Sequence, residues 1–192
     1  MRRACSFIAR ATLTRLAELL ARDTAPHTLF DDSVQQALNL RLHSLEPWQP
    51  FLVGSYQVIA FPAAHDPSVE PLLYAITQGA QTIFYGTDTA RLPESVWQAF
   101  HAMGLRFDVV ILDHTYGPDH PGDDHLNARD VAEYAARMRA EGLLAPQGQV
   151  LATHLSHDGT PPHPAMQSYA QAHGYDVAYD GLSVALGRDP GR

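Results

Sequence analysis

The chain contains no lysine, a single cysteine and no long apolar run. Because every basic residue is arginine, Schiff-base chemistry and a P-loop lysine are excluded. The lone Cys5 excludes an internal disulfide and a cysteine-rich zinc site. No apolar stretch approaches the roughly 20 residues that cross a bilayer, and Arg10 and Arg15 interrupt any signal-peptide core. These absences predict a cytoplasmic protein without membrane contact.

Positive charge is also scarce, since the formal net charge is −8 with histidine neutral. Binding to nucleic acid that depends mainly on electrostatic attraction is therefore not expected. The length of 192 residues, with 45% hydrophobic and 18% charged residues, predicts one globular domain over 1–192. What the chain has in abundance is histidine, with 11 copies. Because histidine is the commonest metal ligand, the positions of these histidines decide the functional interpretation.

Apolar periodicity predicts an α/β domain in which strands come first and then alternate with helices packed outside the sheet. Helices are predicted over 11–22, 93–103, 127–141 and 164–173, with a polar connection after the first. Strands are predicted over 38–45, in a hairpin over 51–61, and over 72–76, 82–85, 107–112, 149–152, 175–179 and 182–186. The segment 77–81 is predicted to be a five-residue turn between two strands.

Three of the predicted strands are followed closely by a histidine or an aspartate, namely His65, Asp88 and His154. Each has an ordinary alternative as a loop histidine, a turn or cap carboxylate, or half of an exposed His-x-x-His pair. Strand ends that meet at one edge of a sheet are, however, where binding sites assemble in α/β domains. The combination therefore predicts a metal site.

Two further polar residues near these strand ends, His125 and Asp113, each allow two interpretations. His125 lies among aspartates at a helix start, either as a helix-start residue or as a histidine held by carboxylates so that it can donate a proton. Asp113 ends the strand 107–112, either as a partner of a ligand histidine or as a strand-end cap. The loop histidines His114, His120 and His163 are predicted to be solvated.

Together these segments resemble the C-terminal half of a metallo-β-lactamase-fold hydrolase, which is half of an αββα sandwich with helices on the outer face. The resemblance covers 45–187, with 1–44 as a helix and lead-in strand and 188–192 as a tail. Within the superfamily, the chain is most similar to the phosphoribosyl cyclic phosphodiesterases of the carbon–phosphorus lyase pathway. The segments that resemble the family are His65, Gly86-Thr87-Asp88-Thr89-Ala90 with Leu92-Pro93-Glu94, Asp124-His125-Leu126-Asn127, Thr153-His154-Leu155-Ser156-His157 and Asp180-Gly181-Leu182.

The resemblance implies a role for each of these residues. His65, Asp88 and His154 would hold a pair of zinc or manganese ions, with Asp88 as the bridging carboxylate. His125 would protonate the leaving alkoxide, and His157 would lie near the substrate. That substrate would be a small cyclic or diester phosphate, attacked by metal-activated hydroxide. Nucleases and thioesterases of the superfamily share the same ligands, and a non-catalytic remnant that serves as an interaction protein is the alternative from another class.

The family's His-x-His-x-Asp-His loop is absent from this sequence, so the chain is predicted to begin about midway through the fold. Each metal ion would then keep two protein ligands, where a catalytic zinc site has three. The chain alone is accordingly expected to be weakly active or inactive. The lost half would also expose an apolar sheet edge and face, which predicts association with a second copy or with a complementing N-terminal half.

Overall fold

The computed structural model describes residues 4–9, 14, 18, 29–157 and 159–186. Apart from Thr14 and Glu18, the predicted helix over 11–22 lies outside the described residues, and so does the predicted tail 188–192. None of the helices in the described ranges is long and apolar enough to cross a membrane.

The first described elements form a small parallel sheet of two strands. β1 (Ala4–Ala9) pairs with β2 (Leu40–Leu45), which confirms most of the predicted strand over 38–45. A short helix, α1 (Asp32–Ala37), precedes β2, where the sequence predicted a polar connection. That prediction was wrong because α1 buries none of its residues and so shows no apolar stripe.

A second sheet contains seven strands in chain order. The strands are β3 (Pro50–Val53), β4 (Tyr56–Pro62), β5 (Leu72–Gln78), β6 (Gln81–Gly86), β7 (Phe107–Asp113), β8 (Leu144–Thr153) and β9 (Asp176–Val177). Neighbours from β3 to β6 are antiparallel, whereas neighbours from β6 to β9 are parallel. The mixed α/β fold is thus confirmed. Because β4 and β6 are both antiparallel to β5, the carboxyl ends of β4, β6, β7 and β8 lie at one edge.

Three helices follow the sheet's strands at the predicted places: α2 (Glu94–Ala102), α3 (Ala128–Ala140) and α4 (His163–Ala172). Asn127 and Asp130 form a reciprocal capping box that fixes where α3 begins. Gly104, with a φ of 63°, follows the last turn of α2 in the left-handed region that glycine adopts without strain. The sequence signals for helix start and stop were therefore sufficient here.

The main core lies between these helices and one face of the seven-stranded sheet. Strand register aligns Ile59, Ala75, Phe84, Val110 and Val150 across the sheet, and all five are buried. Phe100 of α2 packs edge to face against three strand phenylalanines at centroid distances of 5.1 to 5.2 Å. This packing holds α2 against the sheet.

Two further predictions about the sheet need correction. The turn between β5 and β6 is the pair Gly79-Ala80 rather than 77–81, because Thr77 and Thr82 are paired across the strands with their hydroxyls 3.0 Å apart. Gly79 adopts the positive φ that so tight a turn requires. The predicted last strand over 182–186 is also wrong. There Leu182 and Val184 line a cavity beside β8 and β9 instead of joining the sheet.

Candidate metal centre

Four of the predicted polar residues come together where the strands end. His65 lies three residues after β4, Asp88 two residues after β6 and His154 directly after β8. The Nε2 atoms of His65 and His154 each lie 3.6 Å from Oδ1 of Asp88. The shared strand direction therefore brings the three predicted ligands around one carboxylate oxygen.

His125 lies between the two other histidines, on the loop that precedes α3. Its ring centroid is 4.7 Å from that of His65 and 5.4 Å from that of His154. Its Nδ1 lies 3.0 Å from Oδ2 of Asp113 and 3.9 Å from Oδ1 of Asp88. The side chain is 13% exposed, so the imidazole is partly sheltered and still borders solvent.

Asp113 is the fully buried carboxylate beneath this cluster. Its Oδ2 accepts hydrogen bonds from the backbone N–H of Asp88 at 2.9 Å and of Thr89 at 3.3 Å, in addition to its contact with His125. Its Oδ1 accepts from both the N–H and the hydroxyl of Thr115, each at 2.9 Å. The geometry fits both interpretations left open by the sequence, since Asp113 caps the strand end and its Oδ2 also lies 3.3 Å from Nδ1 of the predicted ligand His154.

Ligand atoms of Asp88, Asp113, His125 and His154 all lie within 4.8 Å of one another, which forms a group able to hold a metal ion. Within this group Asp113 differs from Asp88. Both oxygens of Asp113 already accept hydrogen bonds and the residue is buried, whereas the Asp88 side chain is 57% exposed. A ligand needs a free lone pair that faces the ion, so Asp113 suits an orienting role better than coordination.

The other ring nitrogen of each candidate ligand histidine is already engaged. His154 Nδ1 lies 2.9 Å from the hydroxyl of Thr115, and His65 Nδ1 donates to the backbone carbonyl of Asp124 at 3.4 Å. A hydrogen bond from Nδ1–H sets the tautomer that leaves Nε2 with its lone pair, as metal-bound histidines require. Both histidines are therefore arranged to present the lone pair of Nε2 to an ion bound beside Oδ1 of Asp88.

Thr89 connects the loops that contribute these side chains. Its hydroxyl accepts from the N–H of Ala64 at 3.0 Å, and its carbonyl accepts from the N–H of Leu126 at 3.1 Å. Because Thr89 is fully buried and also donates to Asp113, it ties the His65 loop and the His125 loop to the end of β7. The sequence offered no signal for this role, which depends on contacts between distant segments.

The backbone is strained at two of the three predicted ligands. Asp88 has a φ of 60° and His154 a φ of 61°, a region that costs a residue other than glycine on the order of 1–3 kcal/mol. Such strain is retained where contacts with neighbouring residues hold a side chain in one particular direction. Two of the four described residues other than glycine with a positive φ therefore lie at this site, where their side chains face one another.

The residues fit a zinc or manganese ion. Two ligands bound at about 2.1 Å to a tetrahedral ion lie about 3.4 Å apart, close to the 3.6 Å that separates each histidine Nε2 from Asp88 Oδ1. Two imidazoles and a carboxylate are also donors that both metals accept.

The remaining predicted histidines lie elsewhere. His157 is exposed on the loop after β8 and lines a neighbouring cavity, outside the group of four. The prediction that His114 is solvated was wrong, because it is completely buried with Nε2 3.0 Å from the hydroxyl of Tyr175. Burial lowers the pKa of His114 below its usual 6.5. His120 is half-buried and stacks on Tyr116, and His163 is exposed at the first position of α4.

Comparison with solved structures identifies the fold. The metallo-beta-lactamase fold protein YhfI from Bacillus subtilis has 19% identity and a TM-score of 0.64, over 93% of this chain and 63% of that one. Zn(2+)-bound PqqB from Methylobacterium extorquens has 16% identity and a TM-score of 0.64, over 95% and 64%. An isothiocyanate hydrolase from Delia radicum gut bacteria has 14% identity and a TM-score of 0.55, over 82% and 66%.

This chain thus spans less than two thirds of the length of each of these three proteins. A search of the curated proteins found no match. The family model described as the beta-lactamase superfamily domain matches residues 7–155, well over half of the chain. The chain therefore belongs to the beta-lactamase superfamily and has the fold of its metal-dependent hydrolases.

Proposed function

We propose that this chain supplies part of the metal centre of a phosphodiesterase that acts on a small cyclic or diester phosphate. His65, Asp88 and His154 hold zinc or manganese, His125 is the general acid, and His157 lies near the substrate. The observation that supports this best is the pair of Nε2 atoms 3.6 Å from one Asp88 oxygen, beside a histidine that contacts buried Asp113. The zinc in PqqB, a protein of the same fold, makes zinc the first metal to test.

A metal ion held here would supply Lewis acidity, which makes a bound water more acidic and polarises a phosphoryl oxygen. The three ligand side chains would orient the phosphate against the open rim of the strand ends. Their own positions are fixed by Asp124, Thr115 and Asp113 through the hydrogen bonds described above. The protein therefore contributes a preorganised site, which matters because misplaced ligands cost affinity.

His125 would transfer a proton to the leaving oxygen. Its Nδ1–H points to Asp113 Oδ2 at 3.0 Å, which orients the ring and leaves Nε2 for the proton that is transferred. The arrangement resembles other aspartate–histidine pairs in which the carboxylate orients the ring and the histidine moves the proton.

An oriented acid favours an ester with an alkoxide leaving group. An alkoxide is a strong base that leaves poorly unless it is protonated, whereas a thiolate leaves readily because a thiol has a pKa near 8.5. Of the superfamily chemistries considered, thioester hydrolysis therefore needs His125 least. The net charge of −8 further favours a small phosphorylated substrate over a long nucleic acid.

The direct test measures metal content and hydrolysis of bis(p-nitrophenyl) phosphate by the purified chain supplied with zinc or manganese. In a complete protein that turns over, His125→Ala is expected to keep its metal and to lower the turnover number by roughly 100-fold or more, the usual loss for a general acid. The exposed His173, at the end of α4, provides the control His173→Ala.

Loss of metal in His125→Ala would refute the acid assignment, since an acid that is not a ligand should spare the ion. A wild-type chain that retains no metal and cleaves no diester would refute activity for this chain. It would then favour the interaction-protein alternative.

A further inference from the structure

A second cavity lies beside the candidate metal centre. It occupies the space between the loop after β8, the first turns of α4 and β9, and its volume is about 390 Å³. Its wall begins at Leu155, the residue directly after His154. The volume falls in the range of small-molecule sites.

The wall of this cavity and the metal centre are held by the same residue. The carbonyl of Thr115 accepts from the N–H of Ser156 at 3.1 Å and from its hydroxyl at 2.8 Å. The hydroxyl of Thr115 also lies 2.9 Å from Nδ1 of His154. The cavity therefore keeps a fixed position relative to the candidate ligand, as a substrate subsite must.

The described residues that line it are mainly apolar and include no acidic residue, although the chain as a whole is strongly acidic. Met166 and Val177 form a buried floor, and Leu155 lies at the rim with 39% exposure. Two prolines and the planar imidazoles of two histidines complete most of the wall. Such apolar surface favours a ring over a second charged group.

From these observations we infer that the cavity binds the organic substituent of the phosphodiester, as an aromatic or similarly flat ring, while the phosphate lies at the metal centre. The inference rests on the proposed function. It extends that function by naming the substrate class, a ring-bearing phosphate ester. It also gives His157 and His163 a place at the wall of the substituent's pocket rather than at the phosphorus.

The binding test needs neither metal nor turnover. The chain has four methionines, so labelling their methyl groups with carbon-13 yields few NMR signals, one of them from Met166 at the cavity floor. Phenylphosphonate is expected to shift the Met166 signal saturably. Methylphosphonate, which has the same head group without the ring, should leave it in place. Buried Met138 and exposed Met103 report on unspecific effects.

Leu155→Trp fills the rim and is expected to abolish the Met166 shift, whereas Leu52→Trp, on the 74% exposed residue of β3, should not. In an active preparation, phenylphosphonate should inhibit bis(p-nitrophenyl) phosphate hydrolysis at least tenfold more strongly than methylphosphonate, and Leu155→Trp should remove that preference.

The inference is overturned if Met166 does not respond to phenylphosphonate or responds equally to both phosphonates. Absence of hydrolysis would refute phosphodiesterase activity of this chain alone. The NMR result would still decide whether the cavity accepts a ring.

Discussion

Asp113 is the residue on which most of the site's geometry depends, because it is buried and contacts the Asp88 loop, His154 and His125. Asp113→Asn places an amide N–H₂ where an oxygen accepted hydrogen bonds. At least one donor would then face another donor. We expect a loss of about 1–3 kcal/mol in the free energy of unfolding, measured by urea denaturation, together with a lower turnover number.

Asp108→Asn is the matched control for this change. Asp108 also lies on β7, but its Oδ2 accepts from the N–H of Thr82, which an amide oxygen can still do. If Asp113→Asn and Asp108→Asn lose similar amounts of unfolding free energy, the hydrogen bonds of Asp113 are no more important to the fold than that of Asp108.

His114 gives a pH dependence of stability whose sign follows from its burial. Its pKa is lowered in the folded protein by desolvation, whereas the unfolded chain binds a proton near pH 6.5. The unfolded state therefore takes up more protons below pH 6.5, and stability that is fully present above that pH falls as the pH drops toward the folded pKa. Between pH 7.5 and 5.5, wild type should lose more unfolding free energy than His114→Asn. An equal loss would contradict this account, and His173→Ala should behave as wild type.

At the scale of elements, the buried Thr89 joins the loops after β4 and before α3. Thr89→Val keeps the side-chain shape but removes the oxygen that accepts from Ala64. We expect about 1–3 kcal/mol of destabilisation and weaker metal binding, because the His65 loop is no longer held. Thr89→Ser, which keeps the hydroxyl, should recover most of both losses in urea denaturation and metal titration. If the serine variant is as impaired as the valine variant, the hydroxyl is not what holds the loop.

The elements themselves were largely predictable, because apolar alternation and cap residues are local signals. β4 through β8 and α2 through α4 follow from their own residues. The short α1 was missed since it lacks an apolar face, and 182–186 alternates like a strand without pairing as one. In 182–186, the packing of the chain beside β8 and β9 decides the conformation, and the strand-like alternation of the sequence does not.

The candidate site was predictable only in part. His65, Asp88 and His154 could be named because each closely follows a strand-like run. The grouping around Asp88 Oδ1 is observed, while their roles as ligands stay predictions. The role of Thr89 in connecting the loops and the burial of His114 could not be inferred from the sequence, since both depend on contacts between segments that are 24 to 61 residues apart. His157 was expected near the substrate and lies in the wall of the adjacent cavity, which is where the proposed ring pocket uses it.

At the scale of the whole molecule, strand direction explains why distant residues meet. The antiparallel β5 reverses the chain between β4 and β6, and the parallel β6, β7 and β8 then end at the same edge. The other face of this sheet exposes Tyr85 by 45% and leaves Tyr74 and Ile111 half-buried. Association through that face, with a second copy or a complementing half, stays a prediction.

The central claim is that His65, Asp88 and His154 hold a metal ion in this chain, and zinc-dependent thermal unfolding tests it most directly. Zinc at about 100 times its dissociation constant should stabilise the fold by about 2.7 kcal/mol. For a domain of this size, that raises the Tm by roughly 5–10 °C. Asp88→Asn and His154→Ala should remove most of the shift, and His157→Ala should keep it. A wild-type Tm that does not respond to zinc, or an equal shift in Asp88→Asn, would contradict the claim.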